Sequence, residues 1–247
     1  MANKCLVQKL KGSVNDDNLL KLYELRWTIG AGKTILISFK QKNAVSATLS
    51  IISGTGEFQQ ENGTPIGTTL TLTPNNTFYG KVVTTTDIVI SCDAEGLDFE
   101  KMDFMQSLGL LKECYFTALC QDGLKNIQIN GWGGELTIDE IKDAIPHIEN
   151  MDMLSIASEG ITGEMSYLIA FTNLTSLYFA TGTPRTKMSG SIDVYAQGVA
   201  SERAAGSTCT VQGNGIITYK VNGVDTVIAI GARKTITFNG SGGYSIS

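Results

Sequence analysis

Leu124-Lys-Asn-Ile-Gln-Ile129, Met151-Asp-Met-Leu-Ser-Ile156 and Leu174-Thr-Ser-Leu-Tyr-Phe179 share one pattern, with bulky apolar residues at their first, fourth and sixth positions. The segments start 27 and then 23 residues apart. Alternate residues of a strand point to opposite faces, so positions four and six turn one way and positions three and five the other. A second element recurs in the same phase: Gly134-Glu-Leu136, Gly163-Glu-Met165 and Gly190-Ser-Ile192, at steps of 29 and 27. Between the two series lie helix-like stretches at 138–145 and 167–171. Two marks with a shared period of 23–29 residues predict an internal repeat of leucine-rich-repeat length. Aligning the units places Asn126, Met153 and Ser176 in one ladder, Gln128, Ser155 and Tyr178 in the next, and Asn130, Ala157 and Ala180 in a third.

Outward from this repeat the pattern changes. Residues 29–93 read as β-branched strands at 34–39, 45–52, 68–73, 78–83 and 87–91, punctuated by Asn62-Gly63 and Pro74-Asn-Asn76, which predicts a small sandwich or barrel. In Thr68-Thr-Leu-Thr-Leu-Thr73 the alternation puts hydroxyls on one face and leucines on the other. The stretch 98–108 reads as helical. Residues 201–247 return to strands, with Asn222-Gly223 as a hairpin signal. The expected organisation is a lead-in segment at 1–28, a β-sandwich-like domain at 29–93, a leucine-rich-repeat-like solenoid at 94–200 and a C-terminal β-hairpin region at 201–247, mainly β with some α. In the lead-in, Leu19, Leu22 and Tyr23 lie at helical spacing behind a cap at Asn15 or Asp16; a packed lead-in and a docking peptide are both open readings.

Composition bounds the function. A net charge of −5 and the lack of any Lys/Arg block argue against nucleic acid. No apolar run approaches the ~18–20 residues of a membrane span, so membrane insertion is not expected. The first ten residues lack the apolar core of a secretory signal. The five cysteines are scattered without a CxxC pair and read as free thiols of a reducing cytoplasm. With His147 as the single histidine, neither a Cys/His zinc site nor a Ser-His-Asp arrangement is assembled easily, and a turn position suits it better.

Several motifs resemble chemistry and fail. Gly30-Ala-Gly-Lys-Thr34 ends like a P-loop, yet Trp27 stands where the first glycine belongs and a strand follows. Asp93-Ala-Glu-Gly-Leu-Asp98 lacks the calcium-loop spacing. Glu135 and Glu164 occupy equivalent repeat positions and are expected to stack as a ladder rather than converge as a glycosidase pair. No catalytic residue, metal ligand or cofactor is therefore nominated. The outward ladders make the sheet face either a binding surface or a solvated one. Trp132, between glycines, with Gln128, Ser155 and Tyr178, forms the candidate ligand site; the alternative for Trp132 is an aromatic that closes the end of the core.

The stretch Gly160-Ile-Thr-Gly-Glu-Met-Ser-Tyr-Leu-Ile-Ala-Phe-Thr-Asn-Leu-Thr-Ser-Leu-Tyr-Phe179, with Met188-Ser-Gly-Ser-Ile192, resembles a "TGDIxxLxxLTNLTxLxL" repeat of leucine-rich-repeat-like virion and fibre proteins from Bacteroides (crAss-like) phages and related prophages. The opening around 9–25 and the ending around 234–246 are similar to the same set. Glu replaces the usual Asp in the first pair, and the last unit has Gly190-Ser. The resemblance implies a non-enzymatic virion protein (head fibre, tail fibre or decoration protein) made in the host cytoplasm. Leu19, Leu22, Tyr23 and Trp27 would then dock it on capsid or tail proteins, a homotrimer would be its state, and a host-surface glycan or protein its target. The alternative is a glycan- or protein-binding leucine-rich-repeat module on the bacterial cell surface.

Overall fold

A computed structural model describes residues 24–29, 31–32, 34–41, 46–93, 99–105, 111–114, 125–130, 136–144, 147–179 and 185–247. The chain is mostly β, arranged in several sheets. One five-stranded sheet is antiparallel throughout, in the order Leu111–Cys114, Glu24–Ile29, Ile88–Asp93, Ala47–Ser53, Thr69–Leu72. Its threonine alternation behaves as expected: Leu70 and Leu72 are buried and Thr69 and Thr71 exposed. Facing residues come from Thr34–Gln41, Thr77–Thr84 and Gly56–Gln60, which pair antiparallel within a second, larger sheet. Ile35, Ile37, Phe39, Phe58 and Val82 of that sheet join Ile29, Leu49, Ile88 and Ile90 of the first in the core.

The stretch read as helical is a strand instead. Phe99–Met105 pairs antiparallel with Thr34–Gln41 on one side and parallel with Asn126–Asn130 on the other. Its apolar residues at 99, 102 and 105 mimic helical spacing, but two strands with unpaired backbone on either side claim its hydrogen bonds. This strand lies beyond residue 93 and joins the antiparallel region to everything that follows. The larger sheet consequently has eleven strands, and five of them, Phe99–Met105, Asn126–Asn130, Met153–Ala157, Ser176–Tyr178 and Thr208–Gln212, run parallel through its middle.

The three repeat segments supply three of these strands. Register is Asn126 to Met153 to Ser176, then Gln128 to Ser155 to Tyr178, and Asn130 to Ala157. Ala180 lies outside the described residues. The inward positions Ile127, Leu154, Leu177 and Val211 are all fully buried. A second, three-stranded parallel sheet holds Leu136–Thr137, Ile161–Glu164 and Lys187–Ser189. After each of its strands the chain turns helical: α1 at Ile138–Ala144, a 3₁₀ segment at Met165–Ala170, and α2 at Ile192–Val199. Their first residues, Ile138, Met165 and Ile192, are spaced by 27 at both steps, and so are Ile141, Leu168 and Tyr195. All six are at most 1% exposed, so each turn of chain lays one apolar layer against the next.

The glycine-based phase needs correcting. Thr137 pairs with Thr162 and Thr162 with Lys187, an offset of 25 residues at each step. Aligning Gly134-Glu-Leu136 with Gly163-Glu-Met165 requires 29. The helical segments open at a step of 27, Ile138, Met165 and Ile192, while the strand register of 25 sets Leu136 beside Ile161 rather than beside Met165. Glu164 pairs with Ser189, and Glu135 lies outside the described residues. Gly163 itself is required by close packing: a Cβ there would lie 2.3 Å from Ile138 Cγ2.

The C-terminal region closes the stack. Thr208–Gln212 pairs antiparallel with Arg233–Phe238, which pairs with Tyr244–Ile246. The hairpin Thr218–Val221/Val224–Val227 turns at Asn222 (φ 51°) and Gly223 (φ 81°), the two positive angles of a type I′ turn.

Candidate binding face

Paired residues of neighbouring strands project to the same face, so the register builds rows across the larger sheet. One row runs Tyr79, Ser38, Asp103, Gln128, Ser155, Tyr178, Gln212, Arg233. Eight strands at ~4.8 Å spacing make it ~34 Å long. Three of the four expected ligand residues, Gln128, Ser155 and Tyr178, stand in consecutive places. Ser155 is only 2% exposed and forms a floor, while Gln128 and Tyr178 on either side are half-buried. The Arg233 guanidinium carbon lies 5.7 Å from the centre of the Tyr178 ring, and Gln212 Nε2 donates to Gly231 O at 3.4 Å. Gln212 and Arg233 escaped sequence reading because they arrive from strands 34 and 55 residues beyond Tyr178. Tyr79, 53% exposed, ends the row on the antiparallel side.

The other expected site residues fall differently. Trp132, Leu19, Leu22 and Tyr23 lie outside the described residues. Trp27 is in the interior of Glu24–Ile29, with its backbone registered between Cys114 and Ile90 as part of the five-stranded sheet. Gly32 N donates to Thr84 O, and Thr34–Gln41 is a strand, so no helix follows the P-loop-like residues.

His147 takes a left-handed turn conformation (φ 55°) and is exposed. Its Nδ1 lies 3.2 Å from Glu149 Oε1. Glu149's carboxyl sits below its ordinary range, held first by its own backbone N–H and then by the His147 side chain. Burial pushes the Cys209 thiol up to about 12, which makes it a core side chain rather than a nucleophile.

Three polar side chains hold the far end of the stack. Arg203, 6% exposed, donates from Nη1 to Thr172 O and Leu174 O and from Nη2 to Thr208 O, each at 2.9 Å. Asn214, fully buried, donates to Thr186 O and Met188 O and accepts from the Ile216 and Ile217 amides. Asp193 accepts from Ser191 Oγ, Lys220 N and the Tyr244 hydroxyl, tying α2 to the hairpin and to the last strand. Each also binds at least one partner 26–51 residues away, so local pattern alone does not reveal the role.

The described side chains of the row are hydroxyl, amide, aromatic and guanidinium groups. Its aromatic, amide and guanidinium groups suit contact with a ligand surface. Comparison of the chain with protein-family models, with curated proteins and with solved structures finds no match in any of the three.

Proposed function

We propose that this chain is a non-enzymatic structural protein of a phage virion, a head fibre, tail fibre or decoration protein, that displays its repeat face for host attachment. In this reading the two antiparallel sheets form a β-sandwich-like unit, the parallel stack a short leucine-rich-repeat-like solenoid, and the C-terminal strands its cap. The N-terminal segment docks on capsid or tail proteins. The observation that carries the reading is the row from Tyr79 to Arg233. Its residues are locked by backbone pairing, so the face meets a partner with little ordering cost. The resemblance of 160–192 to phage repeats supports the virion assignment.

The test is mass spectrometry of purified particles of the phage that encodes the chain. Recovery at a fixed copy number per particle supports the reading, and absence from intact particles overturns it. Cyclic closure is the rule for homo-oligomers, and a trimer is the state proposed. Light scattering of the full chain should give three times 26.5 kDa; a monomer that also ignores capsid and tail proteins removes the fibre.

The second reading is a surface glycan- or protein-binding module of a bacterial cell. Tyr178 and Tyr79 on the row favour it, since tyrosine rings stack on sugar faces. Saturable glycan-array binding that Trp132→Ala or Tyr178→Ala abolishes, by a chain absent from particles, would select it.

A further inference from the structure

We propose a separate ligand site at the entry ends of the parallel strands: a cleft, lined by Lys125, Asp152, Asn173, Glu202 and Arg203, that takes a neutral, hydroxyl-rich ligand, a mono- or oligosaccharide. The cleft is open to solvent and has a volume of about 440 Å³. The repeat builds it. Lys125 and Asp152 each stand one residue before a strand residue in the shared register, Asn126 and Met153. Asn173 stands three before Ser176. The far wall is the turn after α2, where Arg203 is held rigidly by its three carbonyl partners.

The charges decide the ligand. Arg203 spends three N–H groups on main-chain carbonyls and points a fourth, Nε, at Ser207 Oγ at 3.4 Å. Among the described residues, the Lys125 ammonium and the Asp152 and Glu202 carboxylates make no ion pair or side-chain hydrogen bond. Asn173 donates from Nδ2 to Glu149 O, which leaves its Oδ1 as an acceptor. An anion entering the cleft meets two carboxylates, and a cation meets Lys125 and Arg203. Ala204 is the single aliphatic lining residue, so an apolar ligand gains little. What remains satisfiable is a set of hydroxyls, each both donor and acceptor: carboxylates accept from adjacent hydroxyls and the ammonium donates to them. Mixed signs around a neutral polyol avoid the cost of an unpaired charge.

The experiment uses the full chain on a glycan array, then saturation-transfer NMR with free glucose, galactose, mannose and rhamnose, with inorganic phosphate as the anionic probe. At least one saccharide is expected to bind. Asp152→Ala and Glu202→Gln should each weaken it about tenfold, or 1.4 kcal/mol, while Val224→Ala, at an exposed position of the C-terminal hairpin, leaves it unchanged. Both substitutions remove side chains that hold no other residue, and an unchanged unfolding midpoint confirms the fold; should Asp152→Ala unfold, the exposed Lys125→Ala carries the same reading. The proposal is overturned if no saccharide binds, if phosphate binds in its place, or if Tyr178→Ala abolishes binding and the cleft variants do not. None of these outcomes depends on whether the chain is found in particles.

Discussion

The antiparallel region and the parallel stack share one sheet but differ in the regularity of their pairing: antiparallel partners lie from 6 residues apart, as Gln59 with Pro65, to 87 apart, as Trp27 with Cys114, whereas stack partners recur at 23 to 34. In the antiparallel region, Gly56–Gln60 and Pro65–Gly67 close on each other through a turn in which Gln60 N donates to Thr64 O. In the stack, each strand pairs with one 23 to 34 residues away, and nothing local closes the pair. Its inward residues Ile127, Leu154, Leu177 and Val211 lie in one buried row across four paired strands. A lesion in the stack should therefore loosen the strands paired on both sides of it before it reaches the antiparallel region.

The sharpest way to break this contrast is Arg203→Met. It strands the carbonyls of Thr172, Leu174 and Thr208 and removes the cation 4.8 Å from the Phe238 ring. A loss of ~3–5 kcal/mol is expected by urea denaturation, since buried acceptors of charged donors are costly to orphan. Hydrogen exchange should quicken in Ser176–Tyr178 and Thr208–Gln212 but not in Thr77–Thr84; a uniform change would erase the distinction between regions. Leu177→Ala, between Leu154 and Val211 in the buried ladder, should cost ~2–5 kcal/mol, with exchange rising in both flanking strands.

Smaller effects sharpen the same picture. Gly163→Ala places a methyl against Ile138 across the layers and should cost ~1–3 kcal/mol by overpacking; a neutral result would mean that the layers slide freely. Thr137→Ala removes the cap of α1, where Thr137 N donates to Glu140 Oε2 at 2.9 Å and Glu140 N to Thr137 Oγ1 at 3.2 Å. That change should cost ~1 kcal/mol, confined to one coil. The smallest effect is one of pH. Cys209 keeps its proton in the fold until about 12 but loses it near the ordinary 9.0 when unfolded, so alkali favours the unfolded chain. Stability should fall as pH rises through that window. At neutral pH a thiol reagent should label Cys209 only on unfolding, and rapid labelling of the native chain would show the core to be open there.

Where the pattern was periodic and close in sequence, it was legible. Thr69–Leu72 has its alternation, Asn222 and Gly223 their turn, and the ladder of Gln128, Ser155 and Tyr178 its register, because each follows from side-chain size and spacing. Phe99–Met105 was not legible, since its spacing suits a helix and only the open strand edges beside it make it a strand. The phase of the second series was misleading for a related reason: recurring Gly and Glu letters attract the eye, but burial of Ile138, Met165 and Ile192 sets the layers.

The order of apolar and polar residues along this chain is enough to dictate strand-forming segments, a period near 27 and the side of each repeat that must leave water. It does not dictate the neighbours of the strands outside the repeat, such as Phe99–Met105 beside Thr34–Gln41. Backbone hydrogen bonds are the same for every residue type, so partner choice falls to the fit of distant side chains in one core. That fit brings Arg203 beneath three carbonyls, Arg233 beside Tyr178, and Phe99–Met105 between two halves that otherwise have no common edge.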